Sequence, residues 1–209
     1  ATLYLDDQVL RISGSIISNG GLNAINGTVE LYGNTAQNIS SSVFTSQTLR
    51  RMLLSNTGGV SLTGINDTLK ISGKLEFGAS NVNLNTNNKL LIMSRATGTA
   101  SVGDMTSNGL YSGNTITGDV TVERYVPGHP KAWQFLAAPT TGQTIKQAWQ
   151  ENNGPLGNTK PGYGTIITGN IPSATALGFD IETPAASGSG MKTYNANTGL
   201  WEGIPSTNI

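Results

Sequence analysis

Short runs of alternating apolar and polar residues recur along the first half of the chain. Four runs start at a turn residue and end at a small one: QVLRISG at Gly14, GTVELYG at Gly33, DTLKISG at Gly73 and NKLLIMS at Ser94. A weaker copy, RRMLLSN, ends at Asn56. Alternation with a period of two is typical of β-strands, whereas few stretches show helical spacing. The pattern predicts a mostly β chain with many short strands and turns.

One apolar residue near the end of each run serves as an anchor that measures the repeat. These anchors are Ile12, Leu31, Leu53, Ile71 and Ile92. Their successive separations are 19, 22, 18 and 21 residues. Self-similarity at a period near 20 indicates a repeat architecture.

A period near 20 is typical of leucine-rich repeats and of parallel β-solenoids. A leucine-rich repeat needs a helical return segment and a fixed asparagine after its strand, and neither recurs here. We therefore expect a parallel β-solenoid with about 20 residues per coil. The alternative is an ordinary antiparallel sandwich whose strands are evenly spaced by coincidence.

The solenoid makes specific predictions about which side chains point inward. Alternation should bury six apolar residues of one coil and its neighbours: Leu75, Phe77, Val82, Leu84, Leu90 and Ile92. Gly14, Gly33 and Gly73 are expected at the corners, where the chain must turn.

The repeat fades after Ile92, and the composition changes later in the chain. We expect the β-solenoid over residues 1–116 and a β-rich, sandwich-like domain with one short helix over residues 117–209. The segments TVERYVPG, AWQFLAAP and GYGTIITG are strand-like, and MKTYNANTGLWEGIP is typical of a hairpin that turns at Asn197, Thr198 and Gly199. The helix is predicted in TIKQAWQ, capped by Thr144.

Composition and charge exclude several functions. The chain has 209 residues, 12 basic and 12 acidic, with zero formal net charge, no cysteine and one histidine. A nucleic-acid binder needs a basic face, and thiolate or multi-histidine metal sites need residues that are absent. No apolar run is long enough to span a membrane. Abundant Gly, Asn, Ser and Thr suit stacked rungs, since like charges on adjacent rungs would repel.

Candidate catalytic groups are few, and each has a plain structural interpretation. His129 lies in PGHP and would have to serve any serine–histidine–aspartate triad, but no nucleophile elbow accompanies it. Asp180 and Glu182 share one side of a strand, as glycosidase carboxylates might, although such pairs usually come from different elements. Asp6 and Asp7 suit a turn better than a calcium site. We therefore predict no catalytic residue, cofactor or metal ion.

Two further groups are relevant to carbohydrate. Arg50 and Arg51 form the one adjacent basic pair and are candidates for a polysaccharide lyase groove, or else for an edge charge that blocks strand pairing. The aromatic residues that could stack on sugars, unless they form a core, are Trp133, Trp149, Trp201, Tyr163 and Tyr194.

The second half resembles a module of large secreted and cell-surface, adhesin-like proteins of the Bacteroidota. The resemblance rests on VTVERYVPG, AWQFLAAPT, TIKQAWQE, PGYGTIITG and MKTYNANTGLWEGI in this order, after a low-charge repeat. It implies a segment of a longer protein exported across the outer membrane by the type IX secretion system. It also implies that Thr68, in the short acceptor pattern Asp67–Leu69, is a candidate O-glycosylation site.

Together these observations predict a non-enzymatic structural or adhesive segment, with the solenoid as a rigid spacer and the second domain as an interaction module. Expected partners are other domains of the longer chain, further copies of itself in a fibre, host or environmental glycans, or secretion-system components. The alternative is a carbohydrate-active protein, either a polysaccharide lyase or a glycan-binding module.

Overall fold

The computed structural model describes residues 1–16, 20–65, 67–125, 127–128, 142–150, 165, 167–169, 176–180 and 189–209. The chain divides into two compact units, Ala1–Lys131 and Ala132–Ile209. It is an all-β protein with one short helix, as the sequence predicts.

The described part of the first unit consists of fourteen strands and one 3₁₀ turn, Ser41–Val43. The strands are β1 (Thr2–Tyr4), β2 (Val9–Ile12), β3 (Gly21–Gly33), β4 (Gln37–Ser40), β5 (Phe44–Asn56), β6 (Val60–Thr63), β7 (Leu69–Phe77), β8 (Asn83–Asn85), β9 (Leu90–Ile92), β10 (Ser94–Arg95), β11 (Gly98–Thr99), β12 (Ser101–Val102), β13 (Thr115–Thr117) and β14 (Val120–Val122).

These strands form a parallel β-solenoid of about four turns, which confirms the predicted fold. One sheet has the order β1–β3–β5–β7–β9–β14, with β2 also beside β3 and β12 also beside β7. The second sheet has the order β4–β6–β8–β13. All of these pairs are parallel, and among the described strands of the first unit the small β10–β11 hairpin is the antiparallel exception. From β3 onward, the chain therefore passes from the first sheet to the second and back again in successive coils.

The predicted repeat is confirmed at its two ends. Ile12 pairs with Leu31, and Ile71 pairs with Ile92, as the anchors require. Each of these residues therefore occupies the equivalent position in successive coils.

The predicted repeat is wrong in the middle, at anchor Leu53. The partner of Leu31 is Leu54, and Ile71 pairs with Leu49 rather than with Leu53. The reason is that β5 carries two inward-facing stretches on either side of an irregularity in its pairing with β7. The anchor series moves from one stretch to the other, which explains why its separations of 22 and 18 differ.

One continuous core runs through the coils. Of the six residues predicted to point inward, Leu75, Val82, Leu84, Leu90 and Ile92 are buried, whereas Phe77 is half-buried against the same core. The remaining large buried side chains, each at most 1% exposed, are Val29, Leu31, Ile39, Leu49, Met52, Leu54, Val60, Leu62, Leu69 and Ile71. Inward alternation along successive coils thus removes most large aliphatic side chains of this unit from water.

Asparagine and glycine occupy the turns that connect the sheets. Asn81, Asn87 and Asn88 have positive φ, and Gly33 ends β3 with a φ of 125°. Asparagine and glycine tolerate this left-handed region better than other residues. Gly73, predicted at a corner, instead lies within β7, where a side chain would approach the carbonyl oxygen of Arg50 to 2.8 Å.

The solenoid continues beyond residue 116. Ile116 in β13 pairs with Leu84, and Val120 in β14 pairs with Leu90. The structural division after Lys131 therefore lies later in the chain than the boundary expected from composition.

In the second unit, the described residues form helix α1 (Ile145–Trp149) and the hairpin β15 (Lys192–Asn195) and β16 (Leu200–Gly203). Both elements agree with the sequence prediction. Ile167, Phe179 and Ile204 are buried together, with Trp149 partly buried against them. The described residues show no sandwich, so that part of the expectation stays a prediction. Residues 132–139, predicted as a strand, lie outside the described residues.

Candidate functional site

A charged groove crosses three coils of the solenoid where its long strands bend. Its lining residues are Asp7, Asn26, Gly27, Thr28, Arg50, Arg51, Gly73, Lys74 and Glu76. The groove thus contains both members of the arginine pair that the sequence identifies. We call this surface the charged groove.

Within the charged groove, the Arg50 side chain contacts residues of the two preceding coils. Its Nη1 atom is 3.1 Å from Asp7 Oδ1 and donates to the carbonyl oxygen of Asn26 at 3.3 Å. Asp7 has a φ of 61°, which is typical of a turn. Asp6 and Asp7 therefore belong to a turn, as predicted, and Asp7 is ion-paired with Arg50.

Arg51 and Lys74 are register partners in adjacent strands, so two like charges face each other. Both are ion-paired with Glu76, which lies 2.7 Å from the Lys74 ammonium. The carboxylate between them offsets the repulsion that two unshielded cations on neighbouring rungs would feel. Charge is thus tolerated in this stack where an acid is shared.

The environment of Glu76 determines its protonation. Burial raises the pKa of this carboxyl group, but hydrogen bonds and charge interactions with Lys74 and Arg51 outweigh burial and hold the pKa below its ordinary value. Glu76 is consequently ionised at neutral pH and accepts protons poorly. Ion pairs within the protein thus balance the charges of the groove.

A further ion pair joins Arg11 and Glu30, with Nε and Oε2 2.6 Å apart. The hydrogen bond from Arg11 lowers the pKa of Glu30, assisted by Ser55 and opposed by burial. Arg11 also stacks over the Tyr32 ring at 4.6 Å. These exposed contacts join consecutive coils and add modest stability.

Asp180 is a buried structural carboxylate. It is 2% exposed, and its Oδ2 atom accepts hydrogen bonds from Gln150 Nε2 and from the Ile167 amide, both at 2.8 Å. It therefore connects the end of α1 to the small core of the second unit. Glu182 and His129, the other two groups considered for catalysis, lie outside the described residues.

The aromatic residues divide into buried and exposed groups. Trp149 packs against the core of the second unit, whereas Tyr194 and Trp201 face each other across the hairpin and are about half exposed. Their ring centroids are 5.3 Å apart and the planes are inclined by 55°. The rings form a compact pair instead of a flat row. Trp133 and Tyr163 lie outside the described residues.

Thr68 lies at the surface immediately before β7 and is half-buried. The side chain of the preceding Asp67 accepts hydrogen bonds from Ser40 Oγ and Gln47 Nε2, at 3.3 and 3.2 Å. The Thr68 hydroxyl has no hydrogen-bond partner among the described residues.

Sequence reasoning missed one exposed site, the loop that carries Leu110 and Tyr111. These side chains are 73% and 85% exposed. The motif SNGLYSG contains turn residues around two large side chains, which is the signal that would have indicated display rather than burial.

Among the described residues, no group of three or more His, Asp or Glu side chains is arranged to hold a metal ion. In the same part of the chain, no helix has the length and apolar character needed to cross a membrane.

Comparisons with protein-family models, with curated proteins and with solved structures found no match to this chain.

Proposed function

We propose that this chain is a non-enzymatic structural and adhesive segment of a secreted cell-surface protein. The first unit acts as a rigid spacer and the second as an interaction module. The supporting observation is the continuous stack of parallel strands around one aliphatic core. Each coil is hydrogen-bonded to its neighbours, so force along the chain is shared by many backbone bonds.

Surface exposure is tested by antibodies raised against this chain. We expect labelling of intact cells of the source organism and release of the epitope by brief external protease treatment. Labelling only after permeabilisation would overturn a surface location. Export across the outer membrane by the type IX system is part of the proposal, and deletion of that system should retain the protein inside the cell.

Self-assembly is the second part of the proposal. Among the described residues, β1 and β2 are paired on one side only, and they carry the exposed side chains of Leu3, Tyr4 and Val9. Such an edge can accept a strand from another chain. Sedimentation should show concentration-dependent association that Val9→Lys abolishes and the control Ile65→Lys, in an exposed turn, preserves. A monomer at all concentrations would contradict fibre formation.

Thr68 is proposed as the O-glycosylation site. Peptide mass spectrometry of protein isolated from its native host should show a glycan on Thr68 that is lost in Thr68→Ala. If every copy of this peptide is unmodified, the assignment of Thr68 is overturned, but the proposed spacer function is not affected.

The alternative is a protein that acts on acidic polysaccharides, and the observation that favours it is the cluster of Arg50, Arg51 and Lys74 in one groove. Incubation with acidic and neutral polysaccharides, followed by ultraviolet detection of unsaturated products, distinguishes the two functions. We expect no product. Product formation that Arg50→Ala or Arg51→Ala abolishes would replace the spacer by a lyase.

A further inference from the structure

The coil that contains β12 and β13 is longer than the others. Val60 in β6 pairs with Leu84 in β8, but the next residue pair in this sheet, Asn83 and Thr115, is 32 positions apart. Part of the additional length forms a loop, residues 103–114, that leaves the stack before β13. We call this segment the display loop.

The display loop is held in one shape at its base. Asp104 Oδ1 accepts hydrogen bonds from the amide and hydroxyl of Thr106, at 2.8 and 2.7 Å. The same bonds hold the pKa of Asp104 below its ordinary value. Ser107 and Leu110 exchange two backbone hydrogen bonds, at 2.8 and 2.9 Å. These bonds define a tight turn.

Asn114 fastens the other end of the display loop to the solenoid. Its Oδ1 atom accepts a hydrogen bond from the buried amide of Val82 at 2.9 Å, and its Nδ2 atom donates to the Met105 carbonyl at 3.3 Å. Ser112 also donates to the Met105 carbonyl, and its own carbonyl accepts from the Asn81 amide at 2.9 Å. The loop is therefore preorganised on the rigid stack.

This ordered loop presents Leu110 and Tyr111 to solvent, at 73% and 85% exposure. Neither side chain contributes to the core of the unit. The hydrogen bonds that shape the loop come from other side chains and from the backbone. The exposed phenol ring of Tyr111 is thus needed neither for packing of the core nor for the shape of the loop.

A shallow concavity of about 500 Å³ lies beside this ring. Its size falls within the range of small-molecule sites. It is lined by Ser80, Asn81, Ser107, Asn108, Leu110, Tyr111, Ser112 and Gly113. None of these residues is charged, in contrast to the charged groove.

Four polar side chains of the concavity have no hydrogen-bond partner within the described protein: Ser80, Asn81, Ser107 and Asn108. Gly113, with a φ of 78°, completes the wall. A side chain at Gly113 would collide with the Asn81 amide oxygen, so glycine leaves room for this amide. The surface therefore offers hydroxyl and amide groups that remain available to a ligand.

We propose that the display loop and the adjacent turn bind a neutral saccharide. A sugar ring has an apolar C–H face that packs on an aromatic ring and a rim of hydroxyls that both donate and accept hydrogen bonds. Tyr111 supplies the ring, and the amides of Asn81 and Asn108 both donate and accept. An anionic sugar would find no cation here. This activity goes beyond the spacer function, because it gives the solenoid its own adhesive face.

The test is titration of the whole chain with neutral tetrasaccharides of glucose, mannose, galactose and xylose, followed by NMR and calorimetry. We expect millimolar or tighter binding to at least one of them, with shifts at residues 80–81 and 107–113. Tyr111→Ala should weaken it by roughly fivefold or more, because stacking is lost. Tyr111→Phe should retain affinity within about twofold, since the ring remains.

Matched variants locate the site. Tyr125→Ala removes another exposed tyrosine and should leave affinity unchanged, whereas Asn81→Ala should weaken it by roughly threefold or more. Circular dichroism confirms that each variant is folded. Absence of binding to every neutral tetrasaccharide would overturn the proposal, and so would equal affinity of Tyr111→Ala and the parent. Preferential binding of acidic glycans that Arg50→Ala abolishes would also overturn it.

Discussion

Asn56 donates a hydrogen bond from its buried side chain to Gln37 Oε1, at 2.5 Å, across two successive coils. Gln37 in turn donates to the carbonyl oxygens of Ile12 and Gly14, both at 3.0 Å. Both amide side chains are at most 1% exposed. Three coils are thereby joined at one corner by a fully buried amide chain. Such a chain is favourable only while every member is satisfied.

The first prediction concerns this amide chain. Asn56 Oδ1 also accepts a hydrogen bond from the Gly58 amide at 2.7 Å. The Asn56→Ala change therefore leaves both the Gln37 side-chain oxygen and the Gly58 amide without a partner. We expect the free energy of unfolding to fall by roughly 1–3 kcal/mol, the cost of unsatisfied buried polar groups. Urea denaturation followed by far-ultraviolet circular dichroism measures it. Asn38→Ala, exposed in β4, is the control, and equal losses in the two variants would contradict the role of the chain.

A second prediction tests the close approach of two turns. A methyl group at Gly58 would lie 2.5 Å from the carbonyl carbon of Thr35 and 2.6 Å from that of Asn34. Both are backbone atoms that no side-chain rotation can move. Gly58→Ala should therefore lower the free energy of unfolding by roughly 1–3 kcal/mol.

Gly14→Ala is the matched control for this clash, because nothing lies within 4 Å of the added methyl group. This change should leave the free energy of unfolding unchanged, or raise it by about 0.4–1 kcal/mol because alanine restricts the unfolded chain more than glycine does. Thermal and urea unfolding of both variants decide the matter. If Gly58→Ala is as stable as Gly14→Ala, the two turns are not packed as described.

The third prediction is the pH dependence that Glu76 confers. Its folded pKa lies below the ordinary value of 4.5, so the ionised form stabilises the folded state above the unfolded pKa. This stabilisation is lost as pH falls below about 4.5 and through the folded pKa. Glu76→Gln should lower stability at pH 7 by roughly 0.5–2 kcal/mol, because two ion pairs are lost but both cations are partly exposed to solvent.

The same variant should flatten the acid limb of the stability curve. Urea unfolding between pH 3 and pH 7 checks this result, with Asp119→Asn as a control at an exposed carboxylate that makes no ion pair in the described structure. A Glu76→Gln curve parallel to that of the parent would show that the ion pairs with Arg51 and Lys74 do not form in solution.

The sequence predicts the coil interior well because alternation leaves few choices. If strands of this pattern are buried on one face, Leu84 and Leu90 must point inward, because a register shift of one residue would expose both side chains. The register across β5 could not be predicted in the same way. Leu53 and Leu54 are adjacent and equally apolar, and only pairing with the next coil shows that Leu54 occupies the core.

The candidate sites were less predictable because their residues meet only in the fold. Arg50 and Arg51 are neighbours in sequence, yet Arg50 pairs with Asp7, 43 positions away, and Arg51 with Glu76. Similarly, the concavity beside Tyr111 includes Asn81 from another turn. No spacing rule connects these residues, since coil lengths vary between successive rungs.

The last prediction concerns the start of α1, where each backbone amide of the first turn has a hydrogen-bond acceptor. The Ile145 and Lys146 amides donate to the carbonyl oxygens of Ile209 and Thr207, at 2.9 and 2.7 Å. The Gln147 amide donates to Thr144 Oγ1 at 3.2 Å, and its side chain accepts from the Thr144 amide at 3.0 Å. In this capping box, Thr144 Oγ1 is the side-chain acceptor for the Gln147 amide of the first turn.

Thr144→Ala should therefore destabilise the second unit by about 0.5–2 kcal/mol, and Thr144→Ser should retain most of the stability because the hydroxyl remains. All three tryptophans lie at or beyond Trp133, so their fluorescence reports unfolding of this unit, whereas the circular dichroism of the strands reports mainly the solenoid. We expect the fluorescence midpoint in urea to fall and the strand signal to change less. The exposed Gln143→Ala is the control. If Thr144→Ser loses as much stability as Thr144→Ala, the hydroxyl does not cap the helix, because a cap depends on that oxygen alone.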